Sequence, residues 1–369
     1  MAEKRILYLC PTLLHLMNCI VTQMTVNKEY PADIIFEDSM DFSEIGERLM
    51  RNGVFENCYF FEAKEAKEKY HAMPKEERDK VNKKPALLFP VPAFKHTYTD
   101  FCTHIDSYTS KFLYYILVGM KMPVKVHFVS EGTGTYSLDF TNTNTDKMDH
   151  KHFGEKAFLK NISNMYVYQP ELYTGESSLV NLVALPCYSD VSENVHRVIE
   201  DVFGKMEPIQ EKVIFFEGTF WGDGMLVDEM ELFLAIAEHV GKENIIVKRH
   251  PRNTVDRFTP MGFKVMPNQT IPWEVMIKDI DLSQKALVSV ASFTCFSALE
   301  MYGRISRSIL LSDIMRGRVY FLENPGYKNF FRKAEKVFNE KQIVSWKPAN
   351  LRELKLVLDV IGEKIGGWQ

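Results

Sequence analysis

Residues 5–17 read Arg-Ile-Leu-Tyr-Leu-Cys-Pro-Thr-Leu-Leu-His-Leu-Met. The short apolar run Arg5–Cys10 predicts a buried strand. Pro11 and Thr12 break it, and Leu13, Leu14, Met17, Ile20, Val21 and Met24 then recur at helical spacing. Strand, tight turn and helix open an α/β unit. Working outward, Ala32–Phe36 and Phe55–Phe61 predict further strands, with a helix around Phe42–Arg51 between them. The Lys- and Glu-rich stretch Ala63–Lys84 reads as a solvated helix and loop. Phe101–Met120 fits a helix under the sheet, Lys125–Val129 a strand, and Met165–Tyr168 and Leu179–Leu185 short strands.

The same opening recurs at Lys212. Val213–Phe216 reads as a strand, Glu217–Gly224 as a Gly-rich turn and Met225–Val240 as an amphipathic helix. Ile245–Lys248, Ala286–Val290, Ile309–Leu311 and Arg318–Phe321 read as strands, and Leu351–Ile361 as a helix. Two strand-turn-helix series predict two α/β, doubly wound domains: 1–205, then 206–345, with 346–369 as a C-terminal helix packing back across them.

A length of 369 residues fits about two domains at roughly 150 residues each. A core of that size holds without disulfides or a structural metal. The 45 Lys and Arg against 49 Asp and Glu leave a net charge of −4, which argues against a dedicated nucleic-acid binder. The six cysteines show no CxxC or zinc-ligand spacing and read as reduced thiols of a cytoplasmic protein. No signal peptide is legible at the N-terminus, and no apolar run reaches the roughly 18 residues of a membrane span.

In doubly wound sheets ligands bind beyond the carboxyl ends of the strands. That rule selects the loops after Cys10, Val129, Phe216, Lys248 and Val290. Ser130-Glu131-Gly132 places a carboxylate at a strand end, where it suits a general base. Lys248-Arg249-His250-Pro251-Arg252 concentrates basic groups, and Pro251 predicts a helix start that favours a phosphate. Ser292, Thr294 and Ser297 supply hydroxyls before a helix, and Glu274 suits ribose hydroxyls. In Glu217–Gly224, Gly218 permits close ligand approach, and Asp223 and Glu217 are further carboxylates. The loops lack GxxxxGKS and GxGxxG, and no DxD pair sits at a strand end, which weighs against a metal-dependent sugar transferase.

Taken in order, Ser130-Glu131-Gly132, His250-Pro251 and Ser292 to Ser297 resemble the short motifs of the bacterial sialyltransferases. The likeness is strongest to the lipooligosaccharide and capsule enzymes of glycosyltransferase family 52. Pro11-Thr12-Leu13-Leu14-His15-Leu16 is similar to that family's first strand-helix turn. The resemblance implies a GT-B fold, two facing Rossmann-like domains with a cleft between them, and CMP-sialic acid as donor. It implies that His250 contacts the donor phosphate, that Lys248 and Pro251 lie along the cytosine, and that Glu274 holds the ribose. Ser292, Thr294 and Ser297 would fall at the phosphate, and Gly132 beside the acidic motif. Ser130 departs from the family pattern, which often has a second carboxylate there. Glu131 and Asp223 therefore both stand as candidates for the base.

The implied reaction is a metal-independent, inverting single displacement onto a hydroxyl of a glycan acceptor (lipooligosaccharide, capsule or another oligosaccharide), with no cofactor. Alternatives are a GT-B transferase using CMP-Kdo or a UDP-sugar, a hydrolase on a similar fold, and a non-catalytic nucleotide-binding protein of a polysaccharide locus. Oligomerisation and peripheral contact with the inner membrane face stay open.

Overall fold

The computed structural model describes residues 3–104, 107–137, 153–175, 177–268, 271–340 and 344–368. The chain divides into two compact units, one of residues 1–186 and 190–204, the other of 187–189 and 205–369.

The first unit is built on seven parallel strands: β1 (Ile6–Cys10), β2 (Ala32–Glu37), β3 (Cys58–Phe61), β4 (Asp100–Thr103), β5 (Lys125–Val129), β6 (Ile162–Val167) and β7 (Asn181–Ala184). Their order is β3-β2-β1-β4-β5-β6-β7. Ile6 is registered with Ala32 on one side and Asp100 on the other, so the winding direction reverses at β1/β4. Every residue of β1, β2 and β4 is buried, as a parallel strand covered on both faces requires.

The second unit repeats the plan with β8 (Val213–Phe216), β9 (Ile245–Lys248), β10 (Lys264–Val265), β11 (Ala286–Ser289), β12 (Arg307–Leu310) and β13 (Val344–Trp346), in the order β10-β9-β8-β11-β12-β13. This is again the Rossmann strand order, with its switch point at β8/β11. Phe233, fully buried, sits at the centre of this unit's core with its ring edge-on to Phe215, Phe258 and Phe263.

Several sequence-based expectations need correction. Residues Phe101–Met120 are not one helix: β4 comes first, and the helix runs Tyr108–Gly119, capped by the Ser107 hydroxyl. A short apolar strand and a buried helix segment look alike without a periodic pattern. The helix expected from Met225 begins at Glu229, leaving Leu226 89% exposed. Arg318–Phe321 is not a strand; a short helix, Tyr320–Glu323, occupies it. No helix starts at Pro251, where the chain makes a turn, and the next helical piece is the single turn Thr259–Met261. The C-terminal helix Leu351–Lys364 belongs to the second unit: Leu354, Leu358 and Ile361 enter that unit's core. The polar stretch Thr141–His152 lies outside the described residues. Among the described residues no helix is long and apolar enough to cross a membrane.

Candidate active site

In the first unit the loops at the carboxyl ends of β1, β4 and β5 converge. Thr12 caps the helix Leu13–Thr25, its hydroxyl oxygen accepting from the His15 backbone N–H at 3.4 Å. The same hydroxyl lies 2.6 Å from His15 Nδ1, and His15 Nε2 lies 3.0 Å from Glu131 Oε2. An ionised carboxylate only accepts, so the imidazole proton sits on Nε2, and Nδ1 accepts from the Thr12 hydroxyl. Glu131 is therefore held by a histidine whose own tautomer is held by Thr12. Asn18 ties the arrangement together, donating from Nδ2 to the Ser130 carbonyl at 2.7 Å and accepting from the Tyr168 hydroxyl at 2.9 Å. Gly132 follows with φ +92°, a conformation that L side chains rarely adopt. The His104 ring, at the end of β4, stands edge-on to His15 at 4.8 Å. Burial, with help from nearby His15 and Lys67, pushes its pKa well below the usual imidazole value.

In the second unit the loops after β8, β9 and β11 hold the remaining candidates. His250 is half-buried, and its Nδ1 accepts the Arg252 backbone N–H at 3.2 Å. Burial first, then the Arg252 charge, lowers its pKa to about 4, while Asp223 pulls the other way. His250 is thus neutral at pH 7 and carries its proton on Nε2. Glu217 accepts the His250 backbone N–H at 3.1 Å on one oxygen and Arg257 at 2.8 Å on the other. Arg257 also reaches Glu229 at 3.2 Å, and Glu229 accepts the Gly218 N–H at 2.6 Å. A Cβ on Gly218 would stand 2.9 Å from Glu229 Oε1 and closer still to the Phe220 ring, so only glycine fits. Asn253 spans the same loop, bonding the Gly218 carbonyl and the Gly222 N–H. Asp223 is exposed and pairs with Arg252 at 3.4 Å.

A second cluster lies at the ends of β9 and β11. Glu274 is buried, accepts the Ser297 hydroxyl at 2.9 Å, and has its pKa raised by burial against the pull of Ser297 and Lys248. Lys248 is also buried, donates to the Ile271 carbonyl at 3.1 Å, and is pushed down to about 8 by burial. Ser292 and Thr294 are half-buried with their hydroxyls 2.5 Å apart, and Trp273 Nε1 fixes the Thr294 carbonyl at 3.0 Å. Pro251 is exposed on its turn, so any anion site there is made of side chains and turn amides and has no helix dipole behind it.

The structure thus joins Glu274 with Ser297 and Ser292 with Thr294. It ties the His250 turn to the Gly218 loop through Glu217, Arg257 and Asn253. The pairing of Glu131 with His15 has little sequence signal, because 116 residues separate the two. The hint was His15's place three residues after Thr12, at a helix start beyond the end of β1. Arg257 and Glu229 had no such hint.

The Glu217–Arg257–Glu229 cluster predicts a pH dependence of stability. Burial raises the Glu229 pKa to about 7, against 4.5 for a free glutamate, and the Gly218 N–H and Arg257 only partly oppose it. Between these values the unfolded chain has released the proton and the folded chain has kept it. Stability from this group is therefore full below pH 4.5 and is lost as pH rises to 7, by roughly 3 kcal/mol. Thermal melts from pH 4.5 to 7.5 should show that decline in the unaltered protein and a flatter profile in Glu229→Gln.

The sequence profile of the alpha-2,8-polysialyltransferase (POLYST) family matches residues 64–310, two thirds of the chain. The chain belongs to that family. No curated protein matches the sequence. Among solved structures, an alpha/beta-galactoside alpha-2,3-sialyltransferase from Photobacterium phosphoreum is similar at 11% identity and TM-score 0.53, over 94% of this chain and 99% of that one. The glycotransferase of kitacinnamycin is similar at 10% identity and TM-score 0.50, over 100% and 94%. A putative UDP-N-acetylglucosamine 2-epimerase from Listeria monocytogenes is similar at 11% and 0.50, over 99% and 91%. At these identities the likeness is one of fold. The fold is the GT-B type, two Rossmann-like domains in one chain, and the protein is a glycosyltransferase of a sialyltransferase family.

Proposed function

We propose that this family member moves sialic acid from CMP-sialic acid to a glycan hydroxyl by a metal-independent, inverting single displacement. The observation that carries the reading is His250: a neutral imidazole with its proton on Nε2, beside the Lys248–Glu274–Ser297 cluster. Such a group donates to a departing phosphate without first needing a proton.

In this mechanism Glu131, oriented by His15, takes the proton of the acceptor hydroxyl as its oxygen bonds to the anomeric carbon. The bond from that carbon to the phosphate oxygen breaks through a state of oxocarbenium character, and its electron pair leaves with CMP. His250 Nε2–H meets the charge that develops on the phosphate. Ser292, Thr294 and Ser297 serve the phosphate, Glu274 the ribose, and Lys248 and Pro251 the cytosine. Gly132 and Gly218 allow close backbone approach. Asp223 is the rival base, weakened for that task by its pairing with Arg252.

The family's name makes a terminal sialic acid, extended through an α-2,8 linkage, the first acceptor to try. A lipooligosaccharide or capsule glycan, kinship with glycosyltransferase family 52, and a cytoplasmic reaction at the inner membrane face belong to the same proposal. The test supplies CMP-sialic acid with a sialylated oligosaccharide and measures CMP release together with product mass. One added sialyl unit per CMP is expected. Faster transfer from CMP-Kdo or a UDP-sugar, or CMP release at the same rate without acceptor, overturns it.

A further inference from the structure

A cavity of about 380 Å³ lies within the second unit, apart from the His250 turn. Its position follows from the sheet. Ala291 lies two residues beyond β11, Leu310 ends β12, and Lys347 directly follows β13. The cavity therefore opens at the carboxyl ends of three adjacent parallel strands, the edge that also bears Ser292 and Thr294. Its other wall is the helix Pro325–Glu340, which presents Lys328 and Arg332 one turn apart.

The charges there do not cancel internally. Lys347 pairs with Glu335 at 2.6 Å, and Asp313 accepts the Ser312 hydroxyl at 3.0 Å. Among the described residues no carboxylate lies within ion-pair distance of Lys328 or Arg332. Phe331 and Leu322 add apolar wall. Two exposed cations, one of them a guanidinium able to grip a carboxylate with two N–H groups, stand beside Phe331 and Leu322 in a space sized for a small molecule. Glu323 feels the Lys328 charge from outside the cavity, and within the lining Lys328, Arg332 and Lys347 against Asp313 and Glu335 leave one positive charge in excess.

We propose that this cavity binds a carboxylate-bearing sugar, with Arg332 and Lys328 on the carboxylate and Phe331 against the carbon skeleton. The inference rests on the transferase reading above and adds the subsite that recognises the acidic sugar apart from its nucleotide. The donor's sialyl group and an acidic acceptor share this chemistry, and the measurement separates them.

Calorimetric titration compares CMP with a non-transferable CMP-sialic acid analogue on the full chain, beside acceptor KM in the transfer assay. Arg332→Ala with Lys328→Ala should weaken the analogue at least tenfold and leave CMP within twofold. Lys336→Ala, on the same helix but outside the cavity, should change neither. A tenfold rise in acceptor KM with unchanged analogue affinity would assign the subsite to the acceptor's acidic sugar. If analogue affinity and acceptor KM both stay unchanged, or if CMP weakens as much as the analogue, the proposal is overturned. If the unaltered protein binds neither CMP nor the analogue, it is the transferase reading that fails, before any variant is made.

Discussion

Turnover of the His250→Ala variant is expected to fall about 100-fold or more, with the thermal midpoint nearly unchanged. The side chain is half-buried on a turn and outside the core, so its loss leaves no core cavity. What it removes is an N–H hydrogen-bond donor aimed at developing charge, a contribution of about 10²–10³ in rate. Because burial and Arg252 hold its pKa near 4, the free enzyme's kcat/KM profile should show no limb at pH 6.5 from this residue. His250→Gln keeps a neutral N–H donor and should recover part of the loss. Normal turnover in His250→Ala would remove the phosphate role outright. A collapse in thermal midpoint would show that the imidazole holds the turn instead.

The second large effect is expected at Glu131. Glu131→Gln keeps the shape and the contact with His15 but cannot take a proton, so turnover should fall about 10²–10⁴-fold. CMP affinity should change little, since apart from Gly132 the nucleotide candidates belong to the other unit. His15→Ala should cost less, because it frees the carboxylate without deleting it. Asp223→Asn is the comparison. Its pairing with Arg252 is exposed, worth about 0–1 kcal/mol, so stability should hold. If Asp223→Asn loses turnover while Glu131→Gln keeps it, the base lies in the second unit.

The parts of the fold legible in the sequence were those whose signal is local. Arg5–Cys10 with its helix, and Val213–Phe216 with its Gly-rich turn, each declare an α/β unit within about twenty residues. The charged stretch from Ala63, read as a solvated helix and loop, is helical in two pieces, Lys64–Ala72 and Lys75–Lys83. The short strands β4, β10 and β13 were not legible. Strands β10 and β13, of two and three residues, are too short to carry a pattern, and apolar β4 runs into the apolar helix Tyr108–Gly119 with no change of composition to separate them. The helix inferred at Pro251 failed for a related reason. Proline tolerates a first helical turn but does not create one, and no apolar face follows Arg252 to bury.

By itself the sequence determined that there are two Rossmann-type units, and which loops lie at the carboxyl ends of their strands. It also marked Glu131, His250, Glu274 and the Ser292–Ser297 hydroxyls. Only the tertiary structure decided who meets whom. His15 reaches Glu131 because the sheet order sets β1 two strands from β5. Arg257 is shared by Glu217 and Glu229 because a loop folds back beneath β8's turn. Lys328 and Arg332 face a cavity because their helix closes over β11, β12 and β13. A strand's apolar pattern records that it is buried; it does not record its neighbours. Those follow from strand order and chain crossover, and with them the contacts and tautomers of the candidate site.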